Sequence, residues 1–129
     1  VRDYYKEDFM ARTAITATSV SETSINLSTL IAAPTALVTG AGNGVKFPYK
    51  ETDLWFLYNP TGNTAVFTIK AAQPASIAAQ SLTVPDKTIS VLTTAIHIQP
   101  ARPVFIQSDG QVYIECDQAT KVFVLSRQI

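Results

Sequence analysis

Residues 54–58, Leu-Trp-Phe-Leu-Tyr, are apolar at five successive positions. Whichever way a strand through them is turned, both of its faces are apolar, which suits a strand in the middle of a sandwich and not at its rim. This stretch is the foremost core candidate. Asn59-Pro60-Thr61-Gly62-Asn63 follows it with turn chemistry, since Pro fixes φ and Gly and Asn accept left-handed conformations. The expectation is a hairpin into the next run, Ala65-Val66-Phe67-Thr68-Ile69.

The rest of the chain from Thr13 onward repeats this grammar. Short runs of Thr, Val, Ile and aromatic residues are broken by Gly, Pro, Asn and Asp. Strands are expected near 13–20, 24–30, 35–39, 44–47, 53–59, 64–70, 81–84, 88–93, 103–107, 111–116 and 120–126, with no helix longer than a turn or two. Val104–Gln107 and Val112–Glu115 flank Asp109-Gly110. That dipeptide marks a hairpin because a type I′ turn needs positive φ at both central residues. Lys121–Leu125 would extend the hairpin to a meander. Ala71–Gln80 reads as a short helical turn or a crossing loop, and no internal repeat is present. The fold class expected is all-β, an antiparallel β-sandwich of jelly-roll or immunoglobulin-like topology, occupying residues 13–129 behind an N-terminal arm of residues 1–12. At 129 residues one domain of this kind can bury its own core.

Charge is distributed unevenly. Ten basic and ten acidic residues cancel, so no long-range field draws nucleic acid or anionic lipid. Six of the charges fall in Val1–Arg12, beside Tyr4, Tyr5 and Phe9, whereas Thr13–Val45 contains only Glu22 and Thr88–Ala101 contains none. A surface with so few charges is poorly protected against association, which suggests that it is normally covered. Tyr5 and Phe9 stand at helical spacing, but a segment this short needs something to pack against. The longest apolar runs, such as Leu30–Ala33, are far too short to span a bilayer, and no signal-peptide pattern opens the sequence as written. A protein without a membrane partner is the expectation.

Groups able to do chemistry are scarce. His97 is the one histidine and Cys116 the one cysteine, so neither a His-rich metal site nor a zinc constellation of common type can be assembled. Strand alternation places His97 opposite in facing to Ile96 and Ile98, on a solvent or partner surface. It puts Cys116 on one face with Val112 and Ile114, as a small buried hydrophobe. Glu51 with Asp53, and Glu115 with Asp117, would each share a strand face, as a paired-carboxylate site requires and as any solvated strand end also does. Gly40-Ala41-Gly42-Asn43-Gly44 has the composition of a phosphate loop without its Lys and Ser/Thr. A turn between strands is the better account. Phe47, Tyr49, Trp55 and Tyr58 could form a stacking platform for sugars or bases, though core packing explains them more simply. No catalytic residue, cofactor, metal or small-molecule substrate is expected, and the chain does not read as an enzyme.

The order of these motifs carries a resemblance. After Met10-Ala11-Arg12-Thr13 come Val45-Lys46-Phe47-Pro48, Tyr58-Asn59-Pro60 and Val66-Phe67-Thr68-Ile69-Lys70. Leu82-Thr83-Val84-Pro85, Pro100-Ala101-Arg102-Pro103-Val104-Phe105 and Asp109-Gly110-Gln111-Val112-Tyr113-Ile114 follow. Over most of Ala11–Arg127 the chain resembles the decoration, cement or minor capsid proteins encoded beside the major capsid protein of tailed phages. The resemblance implies a virion protein on the outside of the capsid shell, assembled in the host cytoplasm, that reinforces the shell. It implies the major capsid protein as partner and a homo-oligomer, trimer or dimer. Tyr4, Tyr5 and Phe9 are the expected protein-interface residues, since aromatic side chains dominate interface hot spots. The rival expectations are a carbohydrate- or receptor-binding module of a head or tail fibre, which needs an exposed aromatic platform, and a head-to-tail connector subunit.

Overall fold

A computed structural model of the chain describes residues 12–20, 26–32, 34–74 and 79–127. Tyr4, Tyr5 and Phe9 lie outside the described residues. The elements in chain order are β1 (Thr13–Ala14), β2 (Thr18–Val20), α1 (Leu27–Ala32), β3 (Val45–Pro48), β4 (Asp53–Asn59), β5 (Ala65–Ile69), β6 (Lys87–Val91), β7 (Ala95–Pro100), a single 3-10 turn (Pro103–Phe105), β8 (Gln111–Cys116) and β9 (Lys121–Arg127). They build two sheets, β1-β3-β8-β5-β6 (sheet I) and β2-β9-β4-β7 (sheet II), packed face to face as the expected all-β sandwich. Neighbouring strands run antiparallel except at one side, where β1 joins β3 and β2 joins β9 in parallel.

β4 holds the position that its two-sided apolarity demands. It lies inside sheet II between β9 and β7, with Trp55 opposite Val124 and Gln99, and Leu57 opposite Val122 and His97. Its inward residues Trp55 and Leu57 are fully buried. The Trp55 ring meets Phe47 edge-on at 5.5 Å, Tyr49 at 6.5 Å and Phe105 at 5.9 Å. Val45 and Phe47 of β3, Phe67 and Ile69 of β5, Ile89 and Val91 of β6 and Val112 and Ile114 of β8 complete the core from sheet I. Aromatic burial on this scale is worth several kcal/mol per ring, roughly 25 cal/mol for each Å² removed from water.

The connections differ from the local hairpins expected. Among the described strands only β5 and β6 are consecutive in the same sheet; every other link between described strands joins one sheet to the other. Asn59–Asn63 therefore carries the chain from β4 in sheet II to β5 in sheet I. Asn59 is buried and makes the crossing rigid: its Nδ2 donates to Asn63 O at 2.7 Å and to Val91 O at 3.0 Å, and its Oδ1 accepts from Thr61 N at 3.0 Å. Likewise β8 and β9 lie in different sheets, so no meander forms. Asp109-Gly110 does make a tight turn, with Gly110 N donating to Gln107 O and Gln107 N to Gln111 O, both at 2.8 Å. The residues before it, however, form a 3-10 turn begun by Pro103 in place of a strand.

Other expected strands also resolve differently. The run 13–20 splits into β1 and β2, one in each sheet. Part of the run 24–30 is helical, with Asn26 Oδ1 accepting from Thr29 N at 3.2 Å as an N-cap. Residues 35–39 follow no ladder, although Leu37 is buried and its N–H bonds Thr120 O at 2.8 Å. Val84 finds a side-chain amide instead of a neighbouring strand: Gln73 Nε2 donates to Val84 O and Gln73 Oε1 accepts from Val84 N. Strand β7, absent from the expected set, closes one edge of sheet II.

Candidate protein-interaction face

The two sheets present opposite outer surfaces. Outward on sheet I stand Lys46 of β3, Tyr113 and Glu115 of β8, Thr68 of β5 and Thr88 and Ser90 of β6, which the strand register sets on one polar face. Outward on sheet II stand Leu54, Phe56 and Tyr58 of β4, Ile96, Ile98 and Pro100 of β7, and Lys121, Phe123 and Leu125 of β9. Lys121 is the single charge in that second set. Phe56 and Phe123 stack with ring centroids 5.0 Å apart. Toward β9 this face is partly covered, and Phe123 is buried. Toward β7 it is open: Ile96 is 40% exposed and Ile98 50%.

This reverses the expected facing of β7. Ile96 and Ile98 point outward, while His97 and Gln99 point to the inner side opposite Leu57 and Trp55. Polar residues are tolerated there because an edge strand borders the end of the core. Gln99, although buried, donates from Nε2 to Pro100 O at 3.0 Å and lies 3.4 Å from His97 Nε2.

The other sequence candidates are engaged structurally. Cys116 is buried on the inner face with Val112 and Ile114, as expected, and burial pushes its thiol pKa up. Asp53 is buried and Glu51 exposed, so that pair does not share a site. Glu115 Oε2 accepts from Arg12 Nη2 at 2.7 Å and from Gly42 N at 3.1 Å. Arg12 Nη1 also donates to Asn43 O at 2.8 Å, and its guanidinium lies 4.5 Å from the centre of the Tyr113 ring. The glycine-rich loop is thereby pinned to β8, and Arg12, placed in the arm by sequence, is fastened to the sandwich. Asp117 Oδ1 accepts from Val66 N at 2.9 Å. Trp55 is fully buried, which removes it from any sugar-stacking platform.

Two carboxylates outside these clusters are also spoken for. Burial would raise the Asp86 pKa, but hydrogen bonds from Lys70 Nζ at 2.7 Å and Ala71 N at 2.8 Å outweigh it and hold the carboxyl below its usual range. The Tyr113 hydroxyl donates to Asp109 Oδ2 at 2.6 Å, which lowers the Asp109 pKa and raises that of Tyr113. No helix among the described residues is long and apolar enough to cross a membrane. Among the described residues there is also no cluster of His, Cys, Asp and Glu able to hold a metal ion. Comparison of the chain with protein-family models, with curated proteins and with solved structures found no match.

Proposed function

We propose that this chain is a structural protein of a tailed-phage virion that binds the outside of the capsid shell and stabilises it, with the major capsid protein as partner and as a homo-oligomer. The observation that carries the reading is the outer face of sheet II. Its open half presents Ile96, Ile98 and Pro100 beside Phe56 and Tyr58 without a charge among them, which is the character of a surface that another protein covers. The order of sequence motifs adds the capsid. A shell offers many symmetric positions, so modest affinity per contact suffices when linked copies act together. The fibre-module alternative loses Trp55 from its platform, and nothing in the geometry favours it.

The test is occupancy on purified shells, counted as copies per particle. The wild-type chain should bind in hundreds of copies per particle and raise the temperature at which shells release DNA. Ile98→Lys, which sets a charge in the centre of the open face, should lose most of that occupancy, and deletion of residues 1–9 with Tyr4, Tyr5 and Phe9 should weaken it. A dozen copies or fewer, or occupancy indifferent to Ile98→Lys, would overturn the reading.

A further inference from the structure

Among the described residues each sheet has two edge strands, and three of these four are protected against further pairing. β1 and β2 are two and three residues long. β6 begins with Lys87 and turns Thr88 and Ser90 outward. Short strands, lysines and polar outward side chains are the devices by which edges are kept from templating another strand. β7 has none of them over Ala95–Gln99: it is a full six-residue strand, it lies in a stretch without a charged residue, and two isoleucines stand exposed on it.

The backbone of β7 shows which groups are on offer. Ala101 N donates to Asp53 O at 3.2 Å in step with the β4–β7 register. In an antiparallel ladder the pairs alternate, so Gln99, His97 and Ala95 aim their N–H and C=O groups at β4, and Ile96 and Ile98 aim theirs away from the sheet. Pro100 falls in the outward set, where its missing N–H removes nothing from the β4 ladder.

We propose that two copies of this chain pair through β7, antiparallel about a two-fold axis, so that the two sheets II join into one eight-stranded sheet. A second copy is the occupant that the charge pattern favours. An isologous contact sets the same edge against itself in reverse, so a charge near the axis would face a like charge from the other copy; Thr88–Ala101 has none. The exposed Ile96 and Ile98 of both copies then meet on the outer face and extend the apolar band of Phe56 and Tyr58 across the axis. The pairing specifies the homo-oligomer of the reading above and rests on that reading for its purpose alone.

Sedimentation equilibrium of the full chain in isolation, across the micromolar range, tests it. The wild type should be a dimer. Ile98→Thr keeps the outward N–H and loses apolar area, so the dimer should persist with a dissociation constant about tenfold higher. Ile98→Pro removes the outward N–H and should be monomeric with an unchanged far-ultraviolet circular dichroism spectrum. Should the proline variant fail to fold, Ile98→Lys and Ile98→Glu should each be monomeric alone and dimerise when mixed. A wild-type chain that stays monomeric, a folded proline variant as dimeric as the wild type, or charge variants that do not recover pairing on mixing would overturn the proposal. A dimer that finds no place on shells would instead overturn the capsid reading and leave the pairing intact.

Discussion

A β-carbon at Gly44 would sit 2.1 Å from the Ile114 carbonyl oxygen and 3.0 Å from Glu115 Cα, both backbone atoms of the strand next door. The residue also holds φ at +98°. Gly110 shares the positive φ, +80°, but a β-carbon there meets nothing within 4 Å. The two positions separate conformational strain from collision. Gly110→Ala should cost about 1–2 kcal/mol, the strain of the left-handed region alone. Gly44→Ala must also push the 40–44 loop off β8, and should cost on the order of 3 kcal/mol or more. Urea unfolding of the two variants checks the difference. Tyr113 and Asp109 allow a second residue-scale prediction, this time in pH. The Asp109 pKa lies below its ordinary 3.8, so its contribution to stability is present above that value and is lost as pH falls through the folded pKa. The Tyr113 pKa lies above its ordinary 10.0, so its contribution is present below that value and is lost as pH rises through the folded pKa. Tyr113→Phe removes the tyrosine effect and the largest cause of the Asp109 one, leaving the Gln111 backbone bond and Lys46 to act on Asp109 in both proteins. The stability gap between wild type and variant should be flat between about pH 5 and pH 9 and shrink toward either extreme, as urea midpoints measured across that range would show.

At the scale of elements, the crossing turn after β4 depends on one amide. Asn59 fills its capacity with Asn63 O, Val91 O, Thr61 N and the Thr61 hydroxyl, all from a fully buried position. Asn59→Asp keeps the shape and replaces a donor with an acceptor facing the Asn63 and Val91 carbonyls. It should therefore cost more than Asn59→Ala, itself on the order of 2 kcal/mol or more for the partners left unsatisfied; thermal unfolding of the pair would show the order. The same turn marks where legibility from sequence ended. A continuous apolar run identifies β4, β-rich composition between turn residues identifies β5 and β8, and alternation tells which side of β8 is inward, because a buried face leaves a period of two. Turn residues announced a reversal at Asn59–Asn63 and at Asp109-Gly110 without saying which sheet receives the chain, a matter decided by long-range bonds such as Asn59 to Val91. Sequence patterning passes over β7 and turns His97 outward, because an edge strand that exposes isoleucine and buries glutamine inverts the hydrophobic pattern. The Asn26 cap of α1 was legible in principle, since Asn precedes a short apolar run, but the neighbouring Thr and Ile residues pointed to a strand.

At the scale of the whole molecule, the two outer faces differ in character, and under the proposed capsid role one would serve solubility and the other attachment. Sheet I carries Lys46, Tyr113, Glu115 and the Arg12 clasp outward, whereas the open half of sheet II carries isoleucine and aromatic residues. A molecule of zero net charge has no overall field to steer it, so the face proposed to attach would act at contact range. Docking through sheet II and docking through sheet I therefore differ in how they answer salt. Raising ionic strength from about 0.1 M to about 1 M shortens the Debye length from ~10 Å to ~3 Å and weakens exposed charge pairs while leaving apolar contacts in place. Shell occupancy of the wild-type chain should stay level over that range. Arg12→Gln, which alters only the polar face, should leave occupancy unchanged while lowering stability through the loss of its bonds to Glu115 and Asn43. Occupancy that falls steeply with salt, or that follows Arg12→Gln and not Ile98→Lys, would move the attaching surface to sheet I.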